Sequence, residues 1–85
     1  MGGLDLEDLR LLRHAVGFDG KRPGYRNRYT ATYYTDEHRR WWKMVDGGWA
    51  DCSGQGGQTT RTFRATAKGC EAAGLTPEQT KEAMA

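Results

Sequence analysis

The segment Lys21–Tyr29 combines side chains that bind phosphate with side chains that stack on bases. Its sequence, KRPGYRNRY, interleaves arginine with tyrosine around one asparagine. A guanidinium group binds phosphate oxygens through two parallel hydrogen bonds, and a tyrosine ring can stack on an exposed base. We therefore predict phosphate contacts for Arg26 and Arg28, and a base or backbone contact for Asn27. The alternative is a solvated loop whose tyrosines pack on the core.

A second group of basic side chains follows on the helix that is predicted to begin after Thr35. Arg39, Arg40 and Lys43 lie largely away from the apolar face of that helix. In winged helix-turn-helix proteins, the helix before the wing usually enters the major groove, and its outward residues contact bases or phosphates. These three residues are therefore also predicted to contact nucleic acid.

Bulky aromatic residues near the same helix favour a different partner. Trp is the residue most enriched at interaction hot spots, and Trp42 is bulky for a position that faces a DNA groove. Together with Tyr33 and Tyr34 it forms a candidate interface for a partner protein complex. The alternative is that Trp41 and Trp42 both lie in the core.

The distribution of charge supports a polyanionic partner. The chain has 85 residues and a net charge of +2, but residues 21–64 hold nine Lys or Arg against four acids. The two ends are mildly acidic. A basic middle between acidic ends favours a polyanionic partner, although many dedicated DNA-binding domains are more strongly basic. The sequence is compatible with either a monomer or a homodimer.

No residue pattern predicts catalysis or a metal site. Cys52 and Cys70 do not form a Cys-x-x-Cys pair, and His14 and His38 are not spaced with them as zinc ligands. We expect reduced thiols rather than a disulfide, no cofactor, and no enzymatic activity. The sequence contains neither a transmembrane run nor a signal peptide, which predicts a cytoplasmic protein without a membrane partner.

Hydrophobic periodicity and capping residues predict a single α+β domain over residues 1–85, with residues 1–4 and 84–85 frayed. The predicted order is α-β-α-β-β-α with a short C-terminal helix, which is winged-helix-like. The predicted elements are a helix over Asp5–Val16 with Asp5 as its N-cap, a strand over Arg28–Thr32, a helix capped by Thr35 and ended by Gly47-Gly48, strands over Trp49–Cys52 and Thr60–Thr66, a helix that begins near Ala67 with Thr66 as its N-cap and is ended by Gly74, and a last helix capped by Thr76. In the third strand Phe63 is predicted to point inward. Residues 53–58 are predicted to form a Gly-rich loop between the last two strands.

Four strings between Leu11 and Gly74 resemble a family of small, mostly uncharacterised proteins of tailed phages and prophages. They are LLRHAVG, YRNRY, MVDGGW and FRATAKG, in the order in which the family has them. The chain departs from the family in Trp49, where an aliphatic residue is common, and in its Gly-rich wing. The resemblance implies a winged-helix-like fold and a phage or prophage origin, and hence a host bacterial cytoplasm. Small phage proteins of this size commonly act as DNA-binding regulators or as stoichiometric inhibitors of host machinery, including CRISPR complexes.

Overall fold

A three-stranded antiparallel sheet carries four helices in the computed structural model, which describes residues 3–55 and 57–85. The elements are α1 (Leu6–Val16), β1 (Tyr29–Thr32), α2 (Asp36–Asp46), β2 (Ala50–Gln55), β3 (Thr60–Ala65), α3 (Ala67–Ala73) and α4 (Pro77–Met84). The prediction of a small α+β domain is confirmed.

Each helix begins at a residue whose side chain accepts a hydrogen bond from the first turn. Asp5, Thr35, Thr66 and Thr76 are the four N-caps, as predicted from the sequence. Such a cap satisfies a backbone N–H that has no partner within the helix. Because capping depends on residues only three positions apart, the sequence is enough to locate these helix starts.

The order of the strands in the sheet is β1-β3-β2, so the last strand in sequence lies in the middle. Tyr29 and Cys52 both pair with Phe63, from opposite sides. Side chains alternate between the two faces of a strand. One face of the sheet therefore points to the helices, and the opposite face is open to solvent.

The core lies between the inner face of the sheet and helices α1, α2 and α3. The rings of Trp41 and Phe63 stack with centroids 5.6 Å apart and an interplanar angle of 11°. Leu12 and Val16 of α1 and Met44 of α2 are fully buried beside them. Trp41 is thus a core residue, whereas Trp42 is 38% exposed.

Several strand and chain ends differ from the predicted boundaries. Strand β1 begins at Tyr29 instead of Arg28, because the Arg28 N–H donates to the Ala15 carbonyl of α1. Strand β3 ends at Ala65 instead of Thr66, because Thr66 caps α3. Strand β2 extends to Gln55 instead of ending at Cys52, because a shift of register between Cys52 and Gly54 allows pairing with β3 to continue into the predicted loop. Leu4 and Met84, which the sequence places in frayed ends, pack against the core. The loop residue Gly56 and the end residues Met1 and Gly2 lie outside the described residues.

Candidate nucleic-acid interface

The chain between α1 and β1 is held in place by backbone hydrogen bonds to the last turn of α1. The Gly24 N–H donates to the Val16 carbonyl at 2.8 Å, and the Arg28 N–H donates to the Ala15 carbonyl at 3.1 Å. A Cβ atom on Gly24 would lie 2.6 Å from the carbonyl oxygen of Gln79, so only glycine fits between these segments. These contacts therefore fix the position of the segment that carries the predicted phosphate-binding residues Arg26 and Arg28.

Asn27 lies inside this segment and holds it to β3. Its side-chain amide donates to the Ala65 carbonyl and accepts from the Ala65 N–H, both at 2.8 Å, and it also donates to the Ala83 carbonyl at 3.3 Å. These hydrogen bonds occupy the amide that was predicted to reach a base. The structure thus places Asn27 in a structural role, and the predicted contact would require these bonds to break.

Arg26 and Arg28 point outward on either side of Asn27. The Arg26 guanidinium donates to the His14 carbonyl at 2.8 Å and lies 5.4 Å from the centroid of the Tyr25 ring. Within the described part of the chain, neither arginine forms an ion pair with a carboxylate. Both guanidinium groups therefore keep an uncompensated positive charge that an anion can bind.

Tyr25 is half exposed and packs on the glycines that follow α1. A Cβ atom on Gly17 would lie 2.1 Å from Cε1 of the ring, and one on Gly20 would lie 3.4 Å from the same atom. Gly17 has a φ of 67°, which is the left-handed conformation typical of a helix C-cap. The Tyr25 ring thus packs against the C-terminal end of α1, while the residue remains 53% exposed.

Three adjoining surface grooves, of about 470, 680 and 330 Å³, all have Tyr25 in their lining. Arg13 lies in the first of them, where its Nε donates to the Ala73 carbonyl at 3.0 Å and its guanidinium lies 4.9 Å from the Phe18 ring centroid. We call this region the Tyr25 surface. It consists of Arg13, His14, Lys21, Tyr25, Arg26 and Arg28.

The Tyr25 surface is positively charged. Like Arg26 and Arg28, the side chains of Arg13 and Lys21 form no ion pair among the described residues. Arg10 and Arg22 also line these grooves, but they are paired with Glu7 and Glu82. Of the described residues, Asp19 is the one acidic side chain in the lining. The grooves therefore have an excess of positive charge.

The basic residues of α2 are placed differently from those of the Tyr25 surface. Arg39 is paired with Asp36 of the same helix. Arg40 donates to Asp5 at 2.9 Å and to Asp8 at 3.2 Å, and the ammonium group of Lys43 lies 2.8 Å from the carboxylate of Asp8. The three cations of α2 that were predicted to contact nucleic acid are thus all paired with carboxylates.

The network between α1 and α2 is centred on Asp8, which is fully buried. Hydrogen bonds to Asp5 and then to Asp8 raise the pKa of the Arg40 guanidinium. The pKa of Asp5 is lowered, first by the hydrogen bond from the Asp8 backbone N–H and then by Arg40. These charges hold two helices together, and a phosphate would have to displace carboxylates to reach Arg40 or Lys43.

A separate aromatic surface lies at the other end of β1, and consists of Tyr33, Tyr34, His38 and Trp42. Tyr34 is 96% exposed and has a φ of 66°. The indole N–H of Trp42 donates to Nε2 of His38 at 3.1 Å, and the Tyr34 N–H points at Nδ1 at 3.4 Å. Because a neutral imidazole accepts at one nitrogen only, these two hydrogen bonds exclude each other. The structure thus brings the predicted interface residues Tyr33, Tyr34 and Trp42 together around His38.

Cys52 and Cys70 are free thiols, and burial raises the pKa of the Cys70 thiol. Residues 3–55 and 57–85 contain no group of three His, Cys, Asp or Glu side chains that could hold a metal ion. No helix in these ranges is long and apolar enough to cross a membrane.

Comparison of the chain with protein-family models, with curated proteins and with solved structures gives no match.

Two members of the Tyr25 surface, Arg13 and Lys21, are not among the predicted contacts. Arg13 belongs to α1, and its position one turn before Gly17 places it beside the loop that follows. Lys21 is the first residue of the segment that is predicted to contact phosphate. The available signal was the repetition of basic residues on both sides of the α1 C-cap.

Proposed function

We propose that this protein binds nucleic acid through the Tyr25 surface and acts without catalysis, as a regulatory protein of a phage or prophage. The observation that supports this most directly is the set of unpaired cations around one half-exposed ring: Arg13, Lys21, Arg26 and Arg28 surround Tyr25. Phosphate contacts provide most of the affinity in non-specific nucleic-acid binding. An exposed tyrosine adds stacking on an unpaired base.

We further propose that the fold is a winged-helix-like variant. A β2–β3 hairpin whose second strand pairs with β1 supports this assignment, as does the single helix α2 that precedes the hairpin. In helix-turn-helix proteins the recognition helix offers free polar side chains to the major groove. The cations of α2 are held by Asp5, Asp8 and Asp36. In this variant the loop before β1, rather than α2, contacts the phosphates.

Paired substitutions in the two basic regions test this proposal. The double variant Arg26→Ala/Arg28→Ala and the double variant Arg39→Ala/Lys43→Ala remove the same charge from different surfaces. Affinity for a fluorescent DNA duplex and for a single strand of the same length is measured by anisotropy at fixed salt. We expect the first variant to bind at least about 10-fold more weakly than the wild type, because each phosphate contact contributes to the salt-dependent affinity.

The second variant is the matched control. We expect its affinity to stay within about twofold of the wild type, because its cations are already neutralised by carboxylates. Thermal unfolding of both variants establishes that each is folded at the temperature of the assay. Equal loss in the two variants would show that net charge, and not the Tyr25 surface, governs binding. Absence of binding by the wild type at low salt would overturn the proposal.

A different observation supports a second function, which is inhibition of a host protein by contact with the aromatic surface. Tyr34 adopts a left-handed backbone conformation that is unusual for a bulky residue, and almost all of its side chain is exposed. Strained residues of this kind cluster at binding sites. Exposed Trp42 lines the same groove, of about 450 Å³.

This second function is tested by photo-crosslinking inside the bacterial host. A photoreactive phenylalanine analogue replaces Tyr34 in one variant and Tyr25 in another. Stoichiometric crosslinking to one host protein from position 34, lost when Trp42→Ala is added, is the expected result. Equal protein crosslinking from both positions, or no loss on adding Trp42→Ala, would contradict it.

A further inference from the structure

The outer face of the sheet is polar and has no helix against it. Its side chains belong to the strand positions that alternate with the core residues, namely Thr30, Thr32, Asp51, Ser53, Thr60, Thr62 and Arg64. The hydroxyl groups of Thr30 and Thr62 lie 3.1 Å apart across the β1–β3 pair. Among the described residues, none of the large exposed hydrophobic side chains belongs to this set. The face therefore lacks the aromatic anchors that protein interfaces favour.

Two exposed arginines lie at one end of the β1–β3 pair. Tyr29 and Phe63 form the last register pair of the two strands, and Arg28 precedes Tyr29 while Arg64 follows Phe63. Beyond this pair the side chain of Asn27, and not its backbone, bonds to Ala65 and ties the segment to β3. Like charges that lie close together repel each other. An anion between Arg28 and Arg64 would remove this repulsion.

Carboxylates do not already occupy this position. Asp51 is the register partner of Arg64 on β2, but these two side chains form no ion pair in the described chain, and Arg28 forms none either. The outer face also continues into the Tyr25 surface, because one groove is lined by Tyr25, Arg28 and Thr30 together. A polyanion bound at the Tyr25 surface would thus extend over the outer face of the sheet.

The width of the β1–β3 pair matches a specific form of nucleic acid. The axes of these two neighbouring strands lie about 4.8 Å apart. The major groove of B-form DNA is about 12 Å wide and accepts a two-stranded β-ribbon, whereas the major groove of duplex RNA is too narrow for side chains to read. Threonine side chains are short, which lets the strands approach base edges closely.

We propose that the β1–β3 part of the outer face lies in the major groove of duplex DNA, with a backbone phosphate between Arg28 and Arg64 and the hydroxyls of Thr30 and Thr62 on base edges. This assignment rests on the proposed nucleic-acid binding and adds to it the form of the nucleic acid and the element that reads it. Serine and threonine hydroxyls can donate to or accept from any base, so they suit this role.

The experiment compares three probes of equal length and random sequence: duplex DNA, duplex RNA and single-stranded DNA. Affinities are measured by anisotropy for the wild type, for Arg64→Gln, and for the isosteric pair Thr30→Val/Thr62→Val. We expect the wild type to bind duplex DNA about 10-fold or more tightly than duplex RNA, since only B-form DNA admits the sheet. For duplex DNA, Arg64→Gln lowers the affinity about fivefold and reduces the log–log salt slope by about 0.9. The threonine pair lowers it about threefold.

Arg39→Gln is the matched control for Arg64→Gln, because it makes the same substitution at an exposed site on α2 and leaves binding unchanged. Backbone amide shifts of the wild type give a readout that needs no variant to fold: residues of β1 and β3 move when duplex DNA is added. Equal affinity for duplex DNA and duplex RNA, with unchanged binding in Arg64→Gln, would overturn this assignment while nucleic-acid binding stands. No binding to any probe would overturn both proposals.

Discussion

Arg26 and Arg28 differ from the other predicted contacts because of their immediate neighbours. Asn27 anchors the chain between them, and alternation along an extended segment then directs both arginines to solvent. Arg39, Arg40 and Lys43 have carboxylates as their neighbours instead. A basic side chain is therefore available to bind an anion only where the fold places no carboxylate beside it.

Asn27→Ala separates the structural role of this residue from a binding role. It leaves both the N–H and the carbonyl of Ala65 without their side-chain partner, so we expect the free energy of unfolding to fall by about 2–3 kcal/mol. Urea denaturation measures this loss. The affinity of the folded protein for DNA should fall less than in Arg26→Ala/Arg28→Ala, because both cations remain although their segment is less firmly held.

Arg26→Ala provides the opposite pattern for comparison with Asn27→Ala. Its side chain is exposed, so stability should stay within about 0.5 kcal/mol while DNA affinity falls. A variant of Asn27 that keeps its stability but loses DNA binding would show that the amide contacts the nucleic acid.

Tyr34→Gly tests the backbone strain at the aromatic surface. A non-glycine residue in the left-handed region costs about 1 kcal/mol, and the Tyr34 side chain is almost fully exposed, so little packing is lost. We therefore expect the free energy of unfolding to rise by about 0.5–1 kcal/mol. Tyr33→Gly, at a half-buried position that is not left-handed, should lower it. Destabilisation of similar size in both variants would mean that Tyr34 is held by contacts rather than strained.

At the scale of elements, charges join α1 to α2. Because the pKa of Asp5 lies below its ordinary value of 3.8 in the folded protein, this carboxylate stabilises the fold above that value. Its contribution is lost as the pH falls through the folded pKa. We expect the difference in unfolding free energy between the wild type and Asp5→Asn to be constant above about pH 5 and to shrink below about pH 4. Denaturation at a series of pH values measures it, and a difference that grows on acidification would contradict the assignment.

The elements themselves were largely predictable, whereas their connections were not. Helix caps at Asp5, Thr66 and Thr76 and the inward position of Phe63 follow from local patterns of residues. The extension of β2 depends on a bulge, which has no comparable local signature. Boundaries were therefore less accurate where strand pairing, rather than capping, determines them.

The candidate site was predictable only in part for the same physical reason. The segment Lys21–Tyr29 was found because its basic and aromatic residues are adjacent in sequence. The pairing of Arg40 with Asp5 joins residues 35 positions apart, and the bond from Asn27 to Ala65 spans 38 positions. Such contacts form only when the chain folds, so the sequence could not show which cations are neutralised.

At the scale of the whole molecule, two differently built surfaces lie at opposite ends of β1. The Tyr25 surface, before Tyr29, is cationic, and the aromatic surface, after Thr32, is rich in rings. The polar outer face of the sheet connects them. The molecule thus has a cationic end and an aromatic end, separated by one short strand.

The salt dependence of DNA binding tests the central claim most directly. Affinity of the wild type for duplex DNA, measured between about 50 and 200 mM salt, should fall with a log–log slope of about −3 or steeper, since each phosphate contact contributes about −0.9. In Arg26→Ala/Arg28→Ala the slope should become shallower by about 2. An unchanged slope in that variant, or a wild-type affinity that does not respond to salt, would contradict the assignment of the Tyr25 surface as the nucleic-acid interface.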